Sequence, residues 1–103
     1  MSKRLEALQK MLASGTKDPF AYYAFAMELK SLGRLQESMD AFEKLKALDP
    51  GYVAQYLMAG GVAEGLGRKD VAKEWLEEGI ARARAKGDDH TLSELQQALS
   101  LLG

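Results

Sequence analysis

Leu32-Gly33-Arg34 is followed 34 residues later by Leu66-Gly67-Arg68, and a tyrosine stands ten residues ahead of each copy, at Tyr22 and Tyr56. A fixed period of this length means that one helical hairpin has been used more than once, since a unit of that size buries its apolar side only by stacking on a neighbour. Stacked hairpins present an open surface rather than an enclosed catalytic pocket. The period therefore points to binding before it points to chemistry.

Outward from these two turns, apolar spacing and turn chemistry mark six helices. Leu5, Leu8, Met11 and Leu12 form one stripe of a leading helix that ends near Ser14-Gly15. Asp18-Pro19 reads as an N-cap followed by proline at the first helical position, where its missing donor costs nothing. That helix runs to about Ser31, with Gly33 as its stop. The next begins near Leu35 or Gln36 and turns Leu35, Met39, Phe42 and Leu45 inward, with Glu37, Glu43, Lys44 and Lys46 in water. Asp49-Pro50-Gly51 ends it. A fourth helix spans about Tyr52 to Leu66 before Gly67. Asp70 is the N-cap or first-turn acid of a fifth, which carries Val71, Trp75, Leu76 and Ile80 to about Lys86. Gly87-Asp88-Asp89 breaks that helix and caps a last one striped with Leu92, Leu95, Leu99 and Leu102. No segment alternates as a strand would, so the pattern is all-α.

Composition narrows the function classes. The 103 residues suit one domain, and 47% hydrophobic with 28% charged residues is the balance of a folded, soluble chain. Fourteen basic against fifteen acidic residues leave a formal charge of -1, without the basic stripe that nucleic acid requires, so no nucleic-acid partner is expected. The chain has no cysteine, which removes disulfides and thiolate chemistry and agrees with a cytoplasmic location. Glu6 and Lys10 interrupt any signal-peptide core, and no run of about 18 apolar residues occurs, so neither export nor a membrane partner is expected.

The residues resemble the tetratricopeptide repeat, a 34-residue helix-turn-helix with the pattern W-x2-L-G-x2-Y, then A-x3-F, then P. The first copy reads Tyr22-x2-Phe25-Ala26-x2-Leu29, then Ser38-x3-Phe42, then Pro50. The second reads Tyr56-x2-Ala59-Gly60-x2-Ala63, then Ala72-x3-Leu76, with Arg84 in place of the proline. Without that proline the second copy's latter helix is free to run on to Lys86. A register moved two residues further puts Leu92, Leu95, Gln96 and Leu99 on the pattern's places, whereas the strict offset would bury His90 and Glu94. Thirty-four residues before Phe42 and Leu45 lie Leu8 and Met11, so the leading helix is similar to the second half of an earlier repeat. The resemblance implies a right-handed helical-repeat solenoid of about six antiparallel helices, forming one domain over 1–103. Its parts are a leading half-repeat at 1–15, repeats at 18–50 and 52–86, and a capping helix at 88–103.

In the resembled family the first helix of each repeat lines a concave groove that accepts a peptide or a partner's helix. Carried over by register, the groove residues are Phe20, Tyr23, Met27, Lys30 and Ser31, then Ala54, Leu57, Gly61, Glu64 and Gly65, and from the shifted last helix His90, Ser93, Gln97 and Ser100. Phe20, Tyr23 and Met27 make one stripe, while Tyr22, Phe25 and Leu29 make another on the same helix. A helix with two apolar stripes is either covered on both sides, here by a terminal helix, or offers one to a partner. The lysine-rich carboxylate clamp of some family members is missing, since Tyr23, Met27, Leu57 and Gly61 leave Lys30 as the only base. The expected ligand surface is apolar or aromatic. Gly60 takes the small place where two helices touch, and Gly61 leaves a dent beside Leu57.

No catalytic constellation stands out. Asp88-Asp89-His90 could suggest metal ligands, but carboxylates at a helix start are explained by capping, and a single histidine is poor material for general-base chemistry. Ser14-Gly15-Thr16-Lys17 lacks the spaced glycines of a phosphate loop. No enzyme activity, cofactor or metal is expected. Two readings remain: an adaptor or scaffold that binds a peptide or helix of another protein, and a self-assembling unit, such as a homodimer, joined through half-repeat edges that leave Leu5 or Leu12 undercovered.

Overall fold

A computed structural model of the chain describes residues 2–103, in which six α-helices and no strand occur. They are α1 (Lys3–Ala13), α2 (Pro19–Ser31), α3 (Leu35–Leu48), α4 (Ala54–Gly65), α5 (Lys69–Lys86) and α6 (Asp89–Leu102). They fall into two compact units, one ending at Pro50 and one beginning at Gly51. In the first, α2 packs on both α1 and α3. In the second, α5 packs on both α4 and α6, and α4 also touches α6.

The recurring Leu-Gly-Arg is a helix-ending turn made twice. Gly33 has φ +76° and Gly67 φ +75°, the left-handed region that side chains disfavour. Around the first, the Gly33 amide donates to the Lys30 carbonyl at 3.0 Å and the Arg34 amide to the Leu29 carbonyl at 2.9 Å. Around the second, Gly67 donates to Glu64 and Arg68 to Ala63, both at 2.9 Å. These pairs satisfy carbonyls that a helix end would otherwise leave open. The following helix starts at once, so each hairpin has almost no loop.

In the first unit, Leu29, Met39, Phe42 and Leu45 are buried as their spacing requires. Ser38 is fully buried as well, and its hydroxyl donates to the Ala26 carbonyl at 2.7 Å, tying α3 to α2. Lys46, expected in water, is half-buried. Ser2 accepts the Leu5 amide as the cap of α1 and donates its hydroxyl to Glu28 at 3.1 Å, while Arg4 stands 3.4 Å from the same carboxylate. Leu5 and Leu8 are buried against this frame. The bare residue of α1 is Met11, at 46% exposure, rather than Leu5 or Leu12.

The second unit is closed by two glycines. A Cβ on Gly60 would lie 2.8 Å from Leu76 Cδ2, and one on Gly79 would lie 2.5 Å from Tyr56 Cβ and 3.0 Å from Leu95 Cδ2. Bare backbone at Gly60 thus admits α5, and bare backbone at Gly79 admits α4 and α6 together. Tyr56, fully buried, stacks at a tilt on Trp75 with ring centroids 5.7 Å apart. The fourth helix starts at Ala54, two residues later than the turn chemistry suggested. In α6, Leu95 is fully buried, Leu102 is buried, and Leu92 and Leu99 are half-buried, whereas Gln96 is exposed although its register gave it the small, close-contact place. No other helix among the described residues covers that side.

Candidate functional site

The stripe of interest begins at the cap of α2. The Asp18 carboxylate accepts the Phe20 amide at 3.0 Å, and Pro19 fixes the first helical residue. This start sets Phe20 in the first turn with its ring outward, 61% exposed. It is a large apolar side chain left mostly uncovered by the described residues. Tyr23 and Met27 follow at i+3 and i+7 and are half-buried, and Lys30 continues the face at the helix end, also half-buried. Tyr23 is steadied from below by Phe42, edge to face at 6.3 Å between ring centroids. One α2 face therefore rests on the α3 core and exposes an aromatic to water.

In the second unit, Leu57, Gly61 and Glu64 run along α4. Leu57 is half-buried, Gly61 and Glu64 are exposed, and no atom lies within 4 Å of the position a Cβ on Gly61 would take. The dent beside Leu57 is open space. Gln97 is exposed on α6, whose packing partners include α4. His90 is turned to solvent at 87% side-chain exposure, 3.4 Å from Glu94. Asp88 accepts the Thr91 amide at 3.1 Å as the cap of α6, and the bonds from Thr91 hold its carboxyl below the usual carboxylate range. Asp89 lies in the first turn of the same helix.

The opposite face of α2 holds a feature that register alone did not disclose. Tyr22 and Phe25, the pattern's large core places, are only half-buried and floor a cleft of about 490 Å³ between α1 and α3. Their counterparts Tyr56 and Ala59 are fully buried. The contrast lies in the flanking helices: Trp75 and the bare Gly79 backbone close over Tyr56, while Gln9, Leu12 and Ala13 of α1 line the cleft without filling it. At its rim, Arg34 forks onto Glu37 with bonds of 2.8 and 2.7 Å, and that pairing lowers the Glu37 pKa.

Comparison with known proteins agrees with the hairpin geometry. The tetratricopeptide repeat family matches residues 21–52 and 56–86. A tetratricopeptide repeat domain protein from Salinibacter ruber is 38% identical, and its crystal structure superposes with a TM-score of 0.78 over 82% of this chain and 96% of that one. A protein from Bordetella parapertussis, 25% identical, superposes with a TM-score of 0.86 over 99% of this chain and 89% of its own. The MamA protein, 27% identical, superposes at 0.73 over 82% of this chain and 46% of its own. No curated protein sequence matches the chain. The chain belongs to the tetratricopeptide repeat family. Repeats of this family mediate protein–protein interaction, and the proteins built from them are typically non-enzymatic. Among the described residues, no helix is long and apolar enough to cross a membrane.

Proposed function

We propose that this chain is an adaptor that binds a peptide or helix of another protein through largely apolar helix faces. Phe20, Tyr23, Met27 and Lys30 of α2 make the face of the first unit, and Leu57, Gly61 and Glu64 of α4 with His90 and Gln97 of α6 make that of the second. The observation that carries the reading is Phe20: a phenylalanine 61% exposed, in line with Tyr23 and Met27, has a cost in water that a partner's apolar side chain would remove. Aromatic anchors of this kind dominate binding energy at protein interfaces. Lys30 is the only lysine or arginine in the set, so the preferred ligand is apolar or aromatic rather than acidic.

Selection of peptides from a displayed library tests this. Peptides that bind the wild-type chain should lose roughly tenfold or more in affinity against Tyr23→Ala and against Leu57→Glu, the range of an interface anchor. They should bind Lys44→Ala, on the cleft side of α3, as well as wild type. Selected ligands dominated by acidic residues, with affinity that falls steeply with salt, would contradict the apolar surface.

A further inference from the structure

Between α1 and α3 the first unit keeps a cleft of about 490 Å³, floored by Tyr22 and Phe25. It stays open because, among the described residues, α1 and α3 both pack on α2 and not on each other. Leu29 and Ala41, which also line it, are buried, so the floor is apolar throughout. The volume lies within the range of about 300–1,000 Å³ that small-molecule sites span, whereas a stable protein interface takes roughly 800 Å² from each partner. A single small molecule fits this cleft better than a chain does.

One wall of the cleft carries charge. Glu37 and Asp40 line it from α3. Glu37 is already compensated, since Arg34 forks onto it at 2.8 and 2.7 Å. Asp40 is not: it accepts the Gln36 side-chain amide at 3.0 Å, a neutral donor, and forms no ion pair among the described residues. Lys44, a turn further on, is the one lysine or arginine of the lining, and it is exposed. Asp40 and Lys44 thus offer opposite charges to an occupant, and the aromatic floor decides between them. The face of an aromatic ring is negative, so Tyr22 and Phe25 attract a cation and repel an anion. An exposed lysine ammonium keeps its own hydration and stands off from a bound cation on its flexible stem, a freedom the half-buried rings lack.

We infer that this cleft binds a small organic cation, an ammonium ion carried on an aryl or branched alkyl body. The body lies on Tyr22 and Phe25 against Leu12 of α1, and the ammonium stands between the rings and the Asp40 carboxylate. Apolar contact supplies most of the affinity, and the rings with Asp40 supply the preference for positive charge. The second unit offers no equivalent, because Tyr56 and Ala59, in the places of Tyr22 and Phe25, are fully buried. The cleft lies on the opposite face of α2 from Phe20, so its ligand and a partner on that face are tested apart.

Titration of the full chain followed by amide chemical shifts tests the inference, with 2-phenylethylammonium, 2-phenylethanol and 3-phenylpropanoate as positive, neutral and negative probes on one apolar body. The ammonium should bind tightest and the propanoate weakest, with the largest shifts at Leu12, Tyr22, Phe25 and Ala41. Asp40→Asn should weaken the ammonium by roughly twofold to fivefold, the range of an exposed ion pair, and leave the alcohol unchanged. Lys44→Ala should strengthen the ammonium. Phe25→Leu, which keeps an apolar side chain, should narrow the preference for ammonium over alcohol; should it lose helicity, the Asp40 and Lys44 variants, both at exposed positions, carry the test. Ammonium and alcohol binding alike to the wild-type chain would overturn the inference. So would tightest binding by the propanoate, shifts centred on Phe20 and Tyr23, or no shift from any probe at about 10 mM.

Discussion

Gly79 stands so close to Tyr56 that a Cβ on the glycine would lie 2.5 Å from the tyrosine's own Cβ. The contact is to the root of the ring and not to its tip, so no rotamer change relieves it. Gly79→Ala forces α5 away from α4, and overpacking of this kind costs about 1–3 kcal/mol, more than the helix propensity gained. Urea denaturation should show the lower midpoint, and the tilted Tyr56–Trp75 stack should loosen with it, shifting tryptophan emission to longer wavelength.

Gly61 is expected to behave oppositely. It is exposed, mid-helix, and has open space where a Cβ would go. Gly61→Ala should stabilise the fold by roughly 0.5–1 kcal/mol, the backbone entropy of a helical glycine. If the dent beside Leu57 receives a ligand side chain, the same variant binds selected peptides more weakly while unfolding at higher urea.

Ser38→Ala removes the buried hydroxyl that donates to the Ala26 carbonyl. The loss should be about 1 kcal/mol, the usual net value of such a bond. Calorimetry should show a lower melting temperature for Ser38→Ala, and a larger drop for Ser38→Val, which overfills the crossing.

Two groups give the fold a pH dependence of stated sign. Burial, with the nearby Glu78 carboxylate, raises the Tyr56 hydroxyl to about 12. A raised folded-state pKa contributes stability that is complete below the unfolded value near 10 and is lost as pH rises towards 12, so alkaline unfolding should steepen in that window. Tyr56→Phe should flatten it. Asp88 is the reverse case: its depressed pKa contributes stability above the ordinary value of 3.8, lost as pH falls through the lower folded value. Asp88→Ala should lower the midpoint at neutral pH and match wild type in strong acid.

What was legible beforehand follows from what is local. Asp18-Pro19, the Leu-Gly-Arg turns and Asp88 act through bonds to residues a few positions away, so each could be read in place and each is found. Gly60 could be read because the repeat puts a small residue there. Gly79 could not, since its reason is the joint approach of Tyr56 and Leu95 from two other helices. Tyr22 and Phe25 fall on the repeat pattern's large places, and their partial exposure depends on how far α1 stands from α3, which no spacing within α2 encodes. Gln96 falls by register on the small, close-contact place, whereas it is exposed, with no further helix packed on that side of α6 among the described residues. The exposure of Phe20 follows from its first-turn position together with the lack of a covering helix among the described residues, and only the first of these is local.

The central claim is that the Phe20 face, and not the Tyr22 cleft behind it, meets a partner. Photo-crosslinking in the cells that make the protein tests it most directly, with a benzophenone residue placed at Phe20 or Leu57 in one set and at Gln9 or Lys44 in the other. A discrete protein should be crosslinked from Phe20 and Leu57, lost when Tyr23→Ala is added, and nothing from Gln9 or Lys44. A partner captured only from Gln9 and Lys44 would contradict it.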